Sequence, residues 1–181
     1  LHSVAGFVYM SEQVHSELRA YSDAPALFSP HPLFENFGER VERSEACVRL
    51  GLDPANRYVL FFGLIRDYKG LDLLLDAWAQ LRRAGRTEGR RLIVAGEFYT
   101  AKEPYLKQIA DNGLQDEVLL HDRFIPDDDV KYYFSAADFV VQPYKTATQS
   151  GVTQIAYQFC VPMVVTDVGG LAEIVPDGRV G

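Results

Sequence analysis

Two short segments of the sequence place basic and small polar residues directly in front of predicted helices. The first, GLIRDYKG (63–70), contains Arg66 and Lys69, and the second, KTATQSG (145–151), contains a lysine, three hydroxyls and an amide. The free N–H groups and the dipole of a helix N-terminus favour an anion at such a position. A solvated loop would also explain the first segment, and simple helix capping the second. The surplus of polar residues in the second segment favours anion binding.

The elements that would position these segments alternate between strands and helices. Continuous apolar runs of strand length lie at 57–63, 90–96, 117–122, 138–144 and 162–167. Helices are predicted over 70–85, 101–113, 127–137 and 149–159, with a last one opening near Leu171. Solidly apolar strands that alternate with helices are typical of a parallel sheet covered on both faces. The sequence therefore predicts a doubly wound, Rossmann-like α/β domain.

The residues before residue 57 do not follow this regular alternation. Residues 5–11 read as a buried strand, followed by a short helix that Ser11 caps and that runs to about Arg19. Residues 26–32 are predicted to be extended, because their two prolines exclude a helix. Residues 33–50 are charged and partly helical, which is typical of a connector.

Composition excludes some classes of function. The net charge of −7 argues against sequence-independent binding of nucleic acid, which needs a basic face. No apolar run is long enough to cross a bilayer. Cys47 and Cys160 show neither metal nor redox spacing, which favours a reduced, cytoplasmic setting, and Cys160 is expected to be a small buried side chain. No Asp-x-Asp pair suggests a metal site, so no metal or cofactor is expected.

The topology predicts where a ligand would bind. In a parallel sheet the carboxyl ends of all strands lie at one edge, and ligands bind in the crevice there. The loops that leave this edge are predicted at 63–69, 96–100, 121–127, 143–150 and 167–171. Gly151 would let a phosphate approach the backbone closely. Glu97 and Lys145 lie at the same edge and are candidate contacts, with a solvated surface position as the alternative for each.

The order of these segments resembles the C-terminal, nucleotide-binding domain of family 4 retaining glycosyltransferases. These enzymes have the GT-B architecture, in which two Rossmann-like domains face each other across a cleft. The resemblance covers roughly residues 5–181 and rests on YVLFFGLIRDYKG, RLIVAGEFY and TQSGVTQIAYQFCVPMVVTDVGGLAEI in that order. It implies that residues 1–25 are a remnant of the N-terminal acceptor domain and that 26–56 form the interdomain crossing and connector. Residues 57–181 would be the donor-binding domain, truncated at its C-terminal end.

The resemblance also implies roles for individual residues. Arg66 and Lys69 would contact the donor diphosphate and act in catalysis. Residues 123–125 would pack the base, 148–152 would hold phosphate and sugar, and Gly169 and Gly170 would precede the last motif residue, Glu173. The full set of expected substrate contacts is Gly63, Glu97, Arg123, Phe124, Ile125, Lys145, Thr148, Gln149, Ser150, Gly151, Val152 and Glu173.

One departure from the family pattern concerns two glutamates, eight positions apart, that many members direct at the donor sugar and the ribose. Those positions hold Ala147 and Ile155 in this sequence, and neither side chain can form a hydrogen bond. Gln149 and Ser150 are candidates to cover part of the missing role. The departure leaves the diphosphate contacts unchanged, since they depend on Arg66, Lys69 and backbone amides.

The predicted function is retaining transfer of a sugar from a nucleotide-diphosphate donor to an acceptor hydroxyl. The acceptor, a sugar or a lipid-linked saccharide, would bind mainly to the N-terminal domain, at a cytoplasmic location or at the inner face of a membrane. The chain alone is expected to bind nucleotide and to transfer nothing. The alternatives are a GT-B nucleotide-sugar epimerase or phosphorylase and a non-catalytic nucleotide-sugar-binding module. A dinucleotide-dependent oxidoreductase is disfavoured because no G-x-G-x-x-G follows the first long strand.

Overall fold

The computed structural model describes residues 4–180. A small parallel sheet and two helices precede the main domain: β1 (Phe7–Tyr9), α1 (Glu12–Arg19), β2 (Ala26–Phe28) and α2 (Arg43–Leu50). The main domain continues with β3 (Arg57–Phe62), α3 (Leu71–Arg83), β4 (Arg90–Ala95), α4 (Glu103–Asp111), β5 (Val118–His121), α5 (Asp127–Ala136), β6 (Phe139–Gln142), α6 (Gly151–Gln158), β7 (Met163–Val165) and α7 (Leu171–Ile174). A 3-10 turn, Asp67–Lys69, leads from β3 into α3.

The main sheet has five parallel strands in the order β5-β4-β3-β6-β7. The chain therefore moves outward from β3 to one edge and returns to begin the other half beside β3. This reversal creates a switch point between β3 and β6, where the helices that follow the two strands, α3 and α6, cover opposite faces of the sheet and leave a crevice. Both segments that opened the sequence analysis follow these two strands.

The sheet is covered on both faces, as the apolar runs predict. Alternate side chains of β3 enter different cores, with Tyr58, Leu60 and Phe62 on one face and Val59 and Phe61 on the other. Helices α2, α5 and α6 cover the first face, and α3 and α4 cover the second. The prediction of a doubly wound, Rossmann-like α/β fold is confirmed.

Two sequence-based expectations about burial are wrong. Residues 5–11 were expected to form a buried strand, but Val8 in the centre of β1 is 67% exposed, because β1 pairs only with the short β2. Cys160 was expected to be buried but is exposed. It follows α6 with a φ of 51°, and its neighbours Phe159 and Val161 are the residues that enter the core.

The connector contributes more to the core than its charged sequence indicates. Ala46 and Cys47 of α2 are fully buried against α5 and the sheet. Arg43 at the start of α2 donates hydrogen bonds to the carbonyl of Ala136 and to the carboxylate of Asp138, 2.8 and 3.1 Å away. These contacts tie the connector to the start of β6.

No helix within residues 4–180 is both long and apolar enough to span a bilayer.

Candidate functional site

Two adjoining cavities lie at the carboxyl ends of the strands. The larger has a volume of about 600 Å³ and the smaller about 180 Å³. Four residues line both cavities: Phe37, Phe62, Gly63 and Leu64. The cavities are therefore two parts of one crevice at the switch point of the sheet.

Lys69 is the only lysine or arginine that lines the larger cavity in the part of the chain that the structure describes. It is only 8% exposed, and none of the ion pairs among residues 4–180 includes it. Burial, together with the positive charge of Arg66, lowers the pKa of Lys69 to about 8. A buried ammonium group is costly unless something compensates its charge. Lys69 thus presents a positive charge to the cavity, and no carboxylate in the described part of the chain neutralises it.

Two glycines make room for this lysine and for the turn that carries it. A Cβ atom on Gly63, which has a φ of +91°, would stand 3.0 Å from Lys69 Nζ. A Cβ on Gly70, with a φ of +69°, would collide with the carbonyl oxygen of Pro143 in the loop after β6. The glycines of the GLIRDYKG segment thus permit both the buried lysine and the close approach of the second loop.

The loop after β6 packs against the turn that carries Lys69. The backbone N–H of Lys145 donates a hydrogen bond to the carbonyl of Tyr68, 2.7 Å away. The rings of Tyr68 and Tyr144 meet edge to face at 5.9 Å, and the Lys69 ammonium lies 5.6 Å from the centre of the Tyr144 ring. Burial raises the pKa of Tyr144 to about 12, so its hydroxyl stays neutral and remains available for hydrogen bonding.

Helix α6 begins at the wall of the larger cavity. Ser150 is the N-cap residue, but its side chain makes no capping hydrogen bond and instead lies 3.2 Å from the hydroxyl of Tyr144. No acidic residue occupies the first turn of α6. Gln149, Ser150, Gly151 and Val152 all line the cavity. The first turn of α6 and Lys69 therefore border the same space, which favours an anionic group.

The smaller cavity is mostly apolar. Ile125 and Val130 form its buried wall, and Phe124, which is 63% exposed, stands at its rim. Glu97 and Asp127 are the carboxylates among its lining residues. An aromatic rim over an apolar floor with a few polar groups is suited to a flat heterocycle.

The structure brings eight of the predicted substrate contacts and Lys69 to the lining of these cavities. The eight are Gly63, Glu97, Phe124, Ile125, Gln149, Ser150, Gly151 and Val152. Arg123 and Thr148 are exposed in the same loops but do not line either cavity.

The side chains of Arg66 and Lys145 do not line the larger cavity and instead contact other residues of the chain. The Arg66 guanidinium lies 5.3 Å from the centre of the Tyr99 ring. Lys145 Nζ lies 2.7 Å from Oδ2 of Asp72, near the start of α3. Both residues stay within the loops that border the larger cavity, but contact of either one with a donor remains a prediction.

Glu173 has a different position from the other predicted contacts. Its carboxylate accepts hydrogen bonds from the backbone N–H groups of Glu12 and Gln13, 2.9 and 3.2 Å away, at the start of α1. The Gly pair before it packs closely, because a Cβ on Gly170 would stand 2.6 Å from Cβ of Ser11. The last motif thus joins the main domain to α1 in this structure.

The two positions where many family members have glutamate lie in different surroundings. Ile155 is 6% exposed, belongs to the core and lines the larger cavity. Ala147 does not line either cavity, and its carbonyl oxygen occupies the space that a Cβ on Gly169 would need. No carboxylate among residues 4–180 lines the larger cavity.

Sequence reasoning missed several aromatic residues of the site. The predicted loops contain or adjoin Phe62, Tyr68 and Tyr144. Aromatic residues at the ends of strands could have indicated that these three line a binding site. Phe34 and Phe37 come from the connector, where no periodicity or motif indicates a role in binding.

Comparison with known proteins gives consistent results in sequence and in fold. The model of the family "Glycosyl transferases group 1" matches residues 56–181. The lipopolysaccharide core biosynthesis mannosyltransferase LpsB of Rhizobium meliloti is 35% identical over 167 residues, which cover 88% of this chain and 45% of that protein. The D-inositol 3-phosphate glycosyltransferase of Pseudarthrobacter chlorophenolicus is 33% identical over 140 residues, which cover 77% of this chain and 33% of that protein.

Among solved structures, HepE from Anabaena, crystallised with UDP-glucose, superposes with a TM-score of 0.76 at 22% identity. The superposition covers 97% of this chain and 48% of HepE. The chain thus spans less than half the length of the proteins that it matches here. Because the family model covers most of its residues and its relatives exceed 30% identity, this chain belongs to the group 1 glycosyltransferases and has the Rossmann-like fold of GT-B enzymes.

Proposed function

We propose that this chain binds the nucleotide-diphosphate part of a sugar donor, for retaining transfer of the sugar to an acceptor hydroxyl by a family 4 enzyme. The observation that carries the proposal is the buried Lys69, which faces the larger cavity beside the first turn of α6 and has no carboxylate partner within residues 4–180. An uncompensated buried cation next to a helix N-terminus is suited to a diphosphate.

The chemistry of the transfer explains why such a cation is useful. The bond from the anomeric carbon of the sugar to the diphosphate breaks, and its electron pair stays on the phosphate oxygen. The acceptor oxygen bonds to the same carbon and loses its proton. Negative charge therefore grows on the diphosphate in the transition state, so a fixed cation and fixed N–H groups stabilise that state more than the bound donor. Removing one such contact typically lowers the rate by roughly 100- to 1000-fold.

The two cavities suggest how the donor is divided between them. In our proposal the base enters the smaller cavity, against Ile125 and Phe124, and the ribose and the diphosphate enter the larger cavity, where Lys69 and Ser150 contact the diphosphate. The UDP-glucose complex of HepE supports a nucleotide-sugar donor. The role of LpsB in lipopolysaccharide core biosynthesis supports a saccharide acceptor, which would bind to a second domain.

We further propose that transfer needs no metal ion, because Lys69 and the α6 N-terminus already supply positive charge to the diphosphate. Arg66 would turn from Tyr99 towards the donor when it binds. Both parts of this proposal can be tested on a complete two-domain enzyme that contains this chain. A metal chelator should leave its rate unchanged, and Arg66→Ala should lower it.

A second candidate function is a non-catalytic nucleotide-sugar-binding module. The observation that favours it is the lining of the larger cavity, which includes no carboxylate from the residues that the structure describes and where Ile155 is packed into the core. Turnover by the two-domain enzyme with any of a panel of UDP-, GDP- and ADP-sugars would exclude this candidate.

The donor site is tested directly by calorimetric titration of UDP and GDP into this chain and its variants. Lys69→Ala should weaken binding by roughly 10- to 100-fold, the usual size of a hydrogen bond to a charged group. Lys107→Ala is the matched control, because Lys107 is an exposed lysine of α4 that pairs with Asp111. Unchanged affinity in Lys69→Ala, with the fold intact, would refute the diphosphate site. We expect the chain alone to transfer no sugar, and detectable transfer would refute the two-domain mechanism.

A further inference from the structure

Two phenylalanines of the connector form one wall of the larger cavity. Phe34 and Phe37 lie between β2 and α2, and both line this cavity. Phe37 also lines the smaller cavity. The Phe34 ring lies directly against the start of α6, since a Cβ on Gly151 would stand 3.2 Å from its Cε2 atom. The segment that joins β2 to α2 thus reaches the predicted phosphate site.

The two rings are held in position by aromatic contacts. Phe34 and Phe37 meet edge to face, with ring centres 5.9 Å apart. On its other side Phe34 meets His31 edge to face at 5.0 Å. The Nδ1 atom of His31 lies 2.9 Å from the carbonyl oxygen of Pro32, a contact that can orient the imidazole. Edge-to-face packing of this kind restrains the rings while both phenylalanines stay half-buried at the cavity.

The wall that continues from these rings is also apolar. Phe62, Val152 and Ile155 line the larger cavity, and within residues 4–180 no carboxylate does. Nucleotide-binding sites commonly hold ribose hydroxyls with a carboxylate. Without one, this part of the cavity can recognise a ring by its apolar faces and its shape, and aromatic rings provide such a surface.

We infer that Phe34 and Phe37 pack against the nucleoside of the bound donor and contribute to its affinity. This inference rests on the proposed function and deepens it, because it adds a part of the connector to the donor site. Lys69 and the α6 N-terminus hold the diphosphate, while the two rings hold the nucleoside. Phe34 would pack against the ribose in the larger cavity, and Phe37, which lines both cavities, would also reach the base.

The test compares two probes, UDP and inorganic pyrophosphate, by calorimetric titration of the full chain. Pyrophosphate has no nucleoside, so it reports on the diphosphate site alone. The test variants are Phe34→Ala and Phe37→Ala, together with Phe34→Leu, which keeps apolar bulk but removes the aromatic face. Leu33→Ala is the control, because Leu33 is 51% exposed, adjacent in sequence and absent from the lining of both cavities. Thermal unfolding of each variant shows whether it is folded.

We expect Phe34→Ala and Phe37→Ala each to weaken UDP binding by about tenfold, a typical loss for one stacking contact. Phe34→Leu should weaken it by a smaller factor, and pyrophosphate binding should stay within about twofold in all three. Unchanged UDP affinity in folded Phe34→Leu and Phe37→Ala would overturn the inference. Equal losses for UDP and pyrophosphate would also overturn it, because the rings would then only support the fold of the site.

The Lys69→Ala variant separates this inference from the proposed function. If the proposed function is correct, Lys69→Ala weakens UDP and pyrophosphate alike. If Lys69→Ala changes neither, the diphosphate assignment fails, whatever the phenylalanine variants show. A nucleoside-specific loss in the phenylalanine variants alone would then still support a nucleoside contact of the connector.

Discussion

The Nζ atom of Lys69 lies 3.0 Å from the point that a Cβ atom on Gly63 would occupy. A Cβ atom at residue 63 would therefore press on the ammonium group and require it to shift by a few tenths of an ångström. The φ of +91° at Gly63 adds a second reason for glycine, since other residues rarely adopt it. One glycine thus determines both the turn after β3 and the space for the buried ammonium group.

We expect Gly63→Ala to weaken pyrophosphate binding by about two- to tenfold, less than Lys69→Ala does, because the new methyl group shifts the ammonium group without removing its charge. The substitution should also lower the free energy of unfolding by about 1–2 kcal/mol, because alanine is strained at a positive φ. Gly85→Ala is the control for strain alone, since Gly85 has a φ of +68° and nothing within 4 Å of the added Cβ. Denaturant unfolding and calorimetry measure the two effects. Similar pyrophosphate affinities in both variants would contradict the spatial argument.

The lowered pKa of Lys69, about 8, predicts how stability depends on pH. Below pH 8 the folded and unfolded chains both carry the charge, and its burial opposes folding. Between about 8 and the ordinary value of 10.5 the unfolded chain binds the additional proton, so the free energy of unfolding rises with pH. Lys69→Met removes this dependence. At pH 7 we expect Lys69→Met to be more stable than the unmodified chain, by an amount on the order of 2–3 kcal/mol.

The difference between the two chains should shrink as the pH rises towards 10.5, which denaturant unfolding at several pH values can follow. Other groups titrate in this range, but they do so in both chains and therefore cancel in the comparison. If the difference in the free energy of unfolding stayed constant from pH 7 to 10.5, burial of the charged Lys69 side chain would not destabilise the folded protein, and the prediction would be wrong.

Ile155→Glu introduces the glutamate that many family members have, and we expect it to be destabilising. Ile155 is 6% exposed within the core, so the new carboxylate would be desolvated, at a typical cost of a few kcal/mol. Ile155→Val is the control, with an expected loss of about 1 kcal/mol. Denaturant unfolding of both variants, with donor titration, provides the test. Unchanged stability together with tighter donor binding would show that the position is open to the ribose.

Asp138 is expected to stabilise the connector at neutral pH. Burial alone would raise its pKa, but hydrogen bonds from the Arg57 guanidinium and the Tyr58 N–H, together with the charge of Arg43, hold the pKa below its usual value. The stabilising contribution of the Asp138 carboxylate is therefore fully present above about pH 3.8, the ordinary pKa of the group. It is lost as the pH falls through the lower pKa that the group has in the folded chain. We expect Asp138→Asn to reduce the free energy of unfolding by about 2–4 kcal/mol at pH 7.

The effect of Asp138→Asn should diminish in acid, since the unmodified carboxyl group is then also neutral. Asp111→Asn is the control, because Asp111 forms an exposed pair with Lys107 and should contribute less than about 1 kcal/mol. Equal effects of the two substitutions at pH 7 would contradict the assignment of Asp138 as the tie between α2 and the sheet.

The sequence by itself determined the order of strands and helices and the two loops that border the cavities. Apolar runs of strand length and helical periodicity act over a few residues, so they can be read without tertiary structure. The pairing of Gly63 with Lys69 is local for the same reason, since both belong to one tight turn. The position of the cavities followed from a general property of parallel sheets, in which all strands end at one edge.

Only the tertiary structure decided which side chains meet at that edge. Phe34 reaches Gly151, and Glu173 reaches the start of α1, across long separations in sequence. The ion pair of Lys145 with Asp72 likewise joins the loop after β6 to the start of α3. Such contacts depend on how elements pack against each other, and residue types fix packing only through the combined fit of many side chains. A short motif can therefore predict a lysine in front of a helix N-terminus, whereas its burial and the aromatic wall of the same cavity become visible only in the folded chain.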